Sequence, residues 1–145
     1  MQGEASVQIQ APPERVWGLV TDLTRMGEWS PECRRCEWLE GASGPVVGAR
    51  FRGHNQIGPA KWTTVATVVA VEPGRKFAFV TRPGEVTWRY RFEPTDGGTR
   101  ATESFETHSD PPLNRLFYAL MRRERALARG MRRTLDRIKA AAEAA

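Results

Sequence analysis

Six short segments rich in β-branched and aromatic residues follow one another between residues 33 and 108, with only a few residues between them. The intervals carry glycine or proline, as in Glu72-Pro73-Gly74, Pro83-Gly84 and Asp96-Gly97-Gly98. Connections this short join antiparallel strands, because parallel strands need a crossover of a dozen residues or more. The spacing therefore predicts an antiparallel meander. Its strands are expected near residues 33–40, 47–57, 61–72, 75–82, 85–94 and 99–108.

The residues before the meander predict one further strand and two short helices. Val7 and Ile9 alternate with polar residues, which is typical of a half-buried strand. Pro12 and Pro13 then indicate the start of a helix whose apolar residues recur on one side. A second short helix is expected over residues 23–27, so the order at this end of the chain is strand, helix, helix.

The last part of the chain predicts one long amphipathic helix. Asp110 followed by two prolines is typical of a helix start, and the pattern continues to about residue 142. With about 100° per residue, an apolar stripe lies within about 60° of Leu120. The stripe contains Leu113, Leu116, Phe117, Leu127, Met131, Leu135 and Ile138. The opposite half carries Arg115, Arg122, Arg125, Arg129, Arg132 and Arg133. Glu124 lies about 40° from Leu120 and interrupts the stripe.

The later strands predict an aromatic inner face with one acidic residue. Trp88 and Tyr90 alternate with polar residues, as Phe77 and Phe79 do one strand earlier. Glu103 shares strand parity with the apolar residues Ala101 and Phe105, which places it on the expected interior face. Together these strands and helices predict a single α+β domain over residues 1–145. In it a curved antiparallel sheet of about seven strands surrounds the long C-terminal helix.

The net charge of +5 is concentrated in one segment. Residues 1–112 carry 13 basic and 14 acidic side chains, a net −1, whereas residues 113–145 carry nine basic and three acidic, a net +6. Nucleic-acid binding is not favoured, because the arginine face lacks the interleaved aromatic residues that stack on bases. A solvated helix face is the expected role, and attraction to an anionic membrane surface is left open. Neither a membrane-spanning apolar run nor a signal-peptide pattern is present, so we expect a cytoplasmic protein.

Cysteine and histidine do not predict a metal or redox centre. Cys33 and Cys36 have CxxC spacing, but they begin a strand, where residues three apart point to opposite faces. We therefore expect two ordinary thiols that form neither a disulfide nor a metal site. His54 and His108 both fall on the expected outer face of the sheet. No cofactor and no metal are predicted, and no nucleophile–base set can be assembled.

Three stretches carry a resemblance to a known superfamily. They are Ala11-Pro12-Pro13-Glu14-Arg15-Val16-Trp17 with Val20-Thr21-Asp22 and Glu28-Trp29; Val71-Glu72-Pro73-Gly74-Arg75-Lys76-Phe77-Ala78-Phe79; and Trp88-Arg89-Tyr90-Arg91-Phe92-Glu93-Pro94 with Gly97-Gly98-Thr99-Arg100. With the order of elements, they resemble the START-like (SRPBCC) superfamily of helix-grip proteins, and within it the bacterial polyketide cyclase/dehydratase-like proteins. The resemblance implies a cavity between the sheet and the long helix that binds a hydrophobic or aromatic small molecule.

Three functional hypotheses follow from the residues and the resemblance. The first is a binder or carrier of a hydrophobic, lipid-like or polyketide-like molecule. The second is a polyketide cyclase/dehydratase-type enzyme that uses a cavity carboxylate, with Glu103 and Glu124 as candidates. The third is a membrane or partner adaptor that uses the arginine face. Either glutamate could instead reach an opening or pair with an arginine. The predicted ligand-binding residues are Trp17, Trp29, Phe51, Trp62, Phe77, Phe79, Trp88, Tyr90, Phe92, Glu103, Phe105, Phe117, Leu120, Glu124 and Met131.

Overall fold

The computed structural model describes residues 2–108 and 114–144, with the side chains of residues 2–108 and 122–144. Within these ranges the strands are β1 (Gln2–Ile9), β2 (Cys33–Trp38), β3 (Arg50–Ile57), β4 (Ala60–Glu72), β5 (Lys76–Arg82), β6 (Val86–Thr95) and β7 (Gly98–Thr107). The helices are α1 (Pro13–Thr21), α2 (Met26–Trp29) and α3 (Asn114–Glu143), with a 3₁₀ turn at Leu23–Arg25 between α1 and α2.

All neighbouring strands pair antiparallel in the order β1-β7-β6-β5-β4-β3-β2. This confirms the α+β helix-grip prediction, in which a meander follows the first strand and two short helices. β1 begins earlier than the alternation around Val7 and Ile9 indicated, because it pairs with β7 from Gln2 opposite Glu106 to Ile9 opposite Thr99. The expected helix start at Asp110 lies outside the described residues.

The apolar stripe of α3 packs on the sheet, against β1 and β7, and against α1 and α2. Leu127, Met131, Leu135 and Ile138 are all buried, and they recur every three or four residues. Phe77 is fully buried on the inner face of β5, where its ring lies 5.6 Å from that of Phe79. Burial of these side chains supplies the main stabilising free energy of the fold.

One glycine brings α2 directly against β2. A Cβ atom on Gly27 would lie 2.0 Å from the carbonyl oxygen of Arg34, which is closer than non-bonded atoms approach. Only glycine therefore fits at this crossing. The contact matters for the site because Met26 in α2 and Cys33 in β2 both border the cavity described next.

Candidate ligand-binding cavity

A cavity of about 560 Å³ lies between the inner face of the sheet and α3. Strand residues from β2 to β7, the segment around α2 and the middle of α3 form its walls. Most of the wall is apolar or aromatic, and these side chains are Met26, Phe51, Ile57, Trp62, Phe79, Val86, Trp88, Leu127 and Met131. The volume and the largely apolar lining of this cavity are typical of a small-molecule binding site.

Strand alternation determines which residues reach the cavity. On β6, Trp88 and Tyr90 line it, while Arg89 between them points outward and pairs with Glu106 at 3.3 Å. On β3, Phe51 faces inward and its ring meets that of Phe79 edge-on, with the centroids 5.1 Å apart. The sheet therefore presents aromatic surface to the cavity and charged side chains to solvent.

Glu103 and Tyr90 form the buried polar part of the cavity wall. They lie directly opposite each other on β7 and β6, and the Tyr90 hydroxyl is close enough to the carboxyl to influence its pKa through hydrogen bonding. Glu103 is 3% exposed and Tyr90 is 4% exposed. Among the described residues, Oε1 of Glu103 has no hydrogen-bond partner. A buried oxygen without a hydrogen bond is energetically unfavourable, so a ligand or water that forms a hydrogen bond with Oε1 would be stabilised here.

Burial also changes the protonation of this pair. It raises the pKa of Glu103 to about 8, and the hydrogen bond with Tyr90 only partly opposes that rise. Burial and the neighbouring carboxyl raise the pKa of Tyr90 well above its usual 10. Near pH 7 the carboxyl is therefore mostly protonated, and the pair is neutral. The cavity wall thus holds a carboxylic acid that can donate or accept a hydrogen bond.

The predicted ligand-binding residues separate into groups. Those that line the cavity are Phe51, Trp62, Phe79, Trp88, Tyr90, Glu103 and Met131. Those that pack in the hydrophobic core are Trp17, Trp29, Phe77, Phe92 and Phe105. Trp17 also donates a hydrogen bond from Nε1 to the carbonyl of Lys76 at 3.0 Å. The side chains of Phe117 and Leu120 lie outside the described residues. Contact with a ligand stays a prediction for the whole set.

The prediction that Glu124, like Glu103, is a carboxylate inside the cavity is wrong. Its side chain is exposed, although it lies on the same helix stripe as Leu127 and Met131. Periodicity gives the direction of a side chain around the helix axis. It does not show whether the sheet lies beneath that turn of the helix. Glu124 is therefore not a second carboxylate of the cavity interior.

The predicted separation of Cys33 and Cys36 is also wrong. Their sulfur atoms are 3.3 Å apart, and both residues line the cavity. The cause is an irregularity in β2, where pairing with β3 shifts between Cys33 and Arg35. A bulge inserts one residue, so two positions that are three apart come to share a face of the strand.

Several polar lining residues were not singled out from the sequence. Asn55 and Thr64 lie on neighbouring strands, and Nδ2 of Asn55 donates to Oγ1 of Thr64 at 3.3 Å. Strand parity contained this signal, because Asn55 shares parity with Phe51 and Thr64 shares parity with Trp62. Together they add hydrogen-bonding groups to the wall on the β3–β4 side.

The rim of the cavity carries charge that the helix pattern did not assign to the site. Arg123 of α3 pairs with Glu32, the residue before β2, and this ion pair connects the two walls. Arg129 and Arg133, assigned to the outer face of the helix, also border the opening. Helical position alone does not show that the cavity opens beside this face.

The two histidines lie outside the cavity lining. Nε2 of His54 is 2.9 Å from Oε1 of Glu37, and Nε2 of His108 is 2.6 Å from Oγ1 of Thr87. Among the described residues, no group of three or more histidine, cysteine or acidic side chains is placed to hold a metal ion. None of the helices in the described ranges is long and apolar enough to cross a membrane.

The chain matches a family model described as polyketide cyclase/dehydrase and lipid transport, over residues 2–143. None of the curated proteins compared with the chain matches it. The Polyketide_cyc-like protein Cgl2372 from Corynebacterium glutamicum is 38% identical, with a TM-score of 0.54, and the match covers 98% of this chain and 85% of that one.

Solved structures of lower identity share the fold. The di-domain ARO/CYC StfQ of the steffimycin biosynthetic pathway has a TM-score of 0.82 at 19% identity, covering 99% of this chain and 50% of that one. The protein TTHA0849 from Thermus thermophilus has a TM-score of 0.78 at 18% identity, covering 99% and 98%. At these identities the likeness concerns the fold.

Proposed function

Because the chain belongs to the polyketide cyclase/dehydrase and lipid transport family, we propose that it binds a hydrophobic or aromatic small molecule, lipid-like or polyketide-like, in its cavity. The observation that carries the proposal is the cavity of about 560 Å³ with an aromatic wall and a buried polar pair. That combination gives affinity through apolar burial and orientation through a few hydrogen bonds.

The apolar wall supplies most of the binding free energy in this proposal. Each square ångström of apolar ligand surface removed from water contributes about 25 cal/mol. Trp88 and Phe79 cover the ligand from the sheet, and Leu127 and Met131 cover it from α3. The cavity is already formed between the sheet and α3, so little ordering of the protein opposes binding.

The polar pair sets the orientation of the ligand. Oε1 of Glu103 is buried without a partner among the described residues, and Glu103 is one of the residues that line the cavity. A ligand carbonyl accepts a hydrogen bond from the protonated carboxyl, and a ligand hydroxyl donates one to it. The proposal therefore favours a ligand with an oxygen function on an otherwise apolar or aromatic frame.

Filling the cavity with a larger side chain tests the proposal directly. Thr64 lines the cavity on β4, and Thr63 beside it is on the other face. Thr64→Trp should lower the affinity for the apolar fluorescent probe N-phenyl-1-naphthylamine at least tenfold, because the indole takes the ligand's volume. Thr63→Trp is the matched control and should bind like the parent. Equal affinities in all three proteins, measured by titration, would reject the cavity as the binding site.

A second function, proton-transfer catalysis, is favoured by the raised pKa of Glu103. Burial places that pKa at about 8, where the carboxyl is able to act as an acid or a base near neutral pH. In a cyclase or dehydratase the cavity holds a flexible chain in a reactive conformation, and the carboxyl moves a proton to or from it.

Glutamine at position 103 separates catalysis from binding. Glu103→Gln keeps the shape of the side chain and removes its exchangeable acid proton. With a linear poly-β-ketone thioester as the substrate, we expect cyclised or dehydrated product from the parent and at least 100-fold less from the variant. Liquid chromatography with mass spectrometry measures the product. Binding without turnover in the parent supports a carrier, and equal turnover in both proteins excludes Glu103 as the acid or base.

A further inference from the structure

The two cysteines form a thiol pair on the cavity wall. Cys33 is partly exposed and Cys36 is buried, and their sulfur atoms lie 3.3 Å apart. The irregular pairing of β2 with β3 holds both side chains on one face of the strand. Disulfide bonds have sulfur–sulfur distances of about 2.05 Å, so bonding needs an approach of little more than 1 Å.

Space beside the pair comes from a glycine on the next strand. Gly53 lies opposite Cys36 in the ladder, and a Cβ atom there would be 3.5 Å from Sγ of Cys33. Both cysteines and Gly53 border the cavity. A small reagent that enters the cavity therefore reaches Cys33 first, since Cys36 is the more buried of the two.

The two thiols also differ in acidity. The hydrogen bond with Cys36 lowers the pKa of Cys33, burial partly opposes that effect, and a bond from the backbone N–H of His54 adds to it. The same thiol–thiol hydrogen bond, together with burial, raises the pKa of Cys36. Cys33 is therefore the more readily deprotonated of the two thiols and the one that attacks as a thiolate, whereas Cys36 gives up its proton less readily.

We propose that Cys33 and Cys36 form a reversible two-thiol redox site on the cavity wall, which a low-molecular-weight disulfide oxidises. The Cys33 thiolate attacks one sulfur of the small disulfide, forms a mixed disulfide and releases one small thiolate. That thiolate takes the proton of Cys36. Cys36 then attacks Sγ of Cys33, closes the intrachain disulfide and releases the second small thiolate, which takes up from solvent the proton that Cys33 had lost. Two protein thiols are oxidised and one small disulfide is reduced to two thiols, and excess thiol reverses the reaction.

The site is independent of the ligand proposed for the cavity. It requires only that the two sulfur atoms stay adjacent in the folded protein and that Cys33 is reached from the cavity. Oxidation of the pair would still affect the cavity wall. Tyr90 is close enough to both cysteines for their charge to affect the pKa of Tyr90. A test of the redox site therefore succeeds or fails separately from a test of ligand binding.

Equilibration with oxidised and reduced glutathione tests the proposal. The folded parent protein is held in mixtures of defined ratio, quenched with acid, and analysed by mass spectrometry and by non-reducing electrophoresis. We expect a monomer whose mass is lower by two hydrogen atoms, with loss of both thiols in a single transition. Cys36→Ser should stop at one glutathione adduct on Cys33. Cys33→Ser should react at least tenfold more slowly than Cys36→Ser.

Several results would overturn the proposal. They are a parent protein that keeps both thiols in fully oxidised glutathione, one that carries two glutathione adducts, and one that forms a disulfide-linked dimer. Equal reactivity of the two single-serine variants would reject the assigned order of attack. The parent protein unfolded in denaturant is the reference, because there the pair loses the alignment that β2 imposes. If it closes the disulfide as readily as the folded protein, the folded geometry contributes nothing.

Discussion

Glu103→Gln should remove a pH dependence of stability worth about 5 kcal/mol. The pKa of Glu103 is about 8 in the folded protein, compared with an ordinary value of 4.5. Between pH 4.5 and pH 8 this carboxyl is therefore protonated in the folded state and ionised in the unfolded state. The stabilising contribution of that proton is complete below pH 4.5 and is lost as the pH rises through 8.

The comparison with the glutamine variant isolates this one group. Tyr90 on β6 is the neighbouring titratable side chain that affects the pKa of Glu103, and it is present in both proteins. Urea unfolding at a series of pH values measures the free energy of unfolding of both proteins. That of Glu103→Gln should rise relative to that of the parent from pH 4.5 to 8, and the difference should stay constant above pH 8.

A control carboxylate lies on the same strand. Glu106 is on the outer face, where it pairs with Arg89 and its side chain is 44% exposed. Glu106→Gln should follow the pH dependence of the parent. If the difference between the parent and Glu103→Gln is constant from pH 4.5 to 9, the buried carboxyl does not retain its proton as described. Buried acids that stay protonated at neutral pH are a recurrent device of proton-transfer sites, which is why this curve also bears on the catalytic alternative.

Phe77→Ala should cost about 3–5 kcal/mol of unfolding free energy, the range for an aromatic side chain removed from a packed core. Phe77 is 0% exposed and belongs to the core cluster rather than to the cavity lining. The alanine variant loses contacts on every side of the ring and leaves a void that the rigid sheet fills only in part. Thermal melts and urea titrations measure the loss.

Trp88→Ala is the matched comparison from the cavity wall. The indole packs on Phe105 with ring centroids 5.6 Å apart, and its other side borders the cavity. Its removal should therefore cost less stability than that of Phe77, since fewer packing contacts are lost. It should also weaken N-phenyl-1-naphthylamine binding, whereas Phe77→Ala should bind normally at temperatures where it is folded. The opposite pattern would place Phe77, and not Trp88, at the ligand.

Sequence patterns were sufficient for the fold and for the inward direction of both members of the polar pair, Tyr90 and Glu103. Glycine and proline between short apolar segments indicated the meander, and the stripe through Leu127, Met131 and Ile138 indicated the gripping helix. These are local signals, because turn geometry and side-chain direction depend on neighbouring residues in the chain. The parity of Glu103 with Ala101 and Phe105 placed it inside for the same reason, and it is 3% exposed.

Tertiary structure decided which inward-facing aromatic residues line the cavity and which fill the core. Phe77 and Phe79 have the same parity on β5, yet Phe77 is packed by neighbouring elements and Phe79 borders the cavity. Alternation along a strand assigns a face. Alternation does not show the distance between α3 and the sheet at each point, because that distance depends on the packing of other elements.

The remaining features depended on positions in space that no local period contains. Glu124 lies on the apolar stripe of its helix and is nevertheless exposed, since helical phase gives a direction and not what lies in that direction. Cys33 and Cys36 meet because pairing with β3 creates a bulge, whereas regular alternation would have separated them. From the sequence alone came the strands, the long helix and the inward carboxyl. Only the folded chain, through the register between strands and the distance of the helix from the sheet, decided which residues line the cavity and brought the two sulfur atoms together.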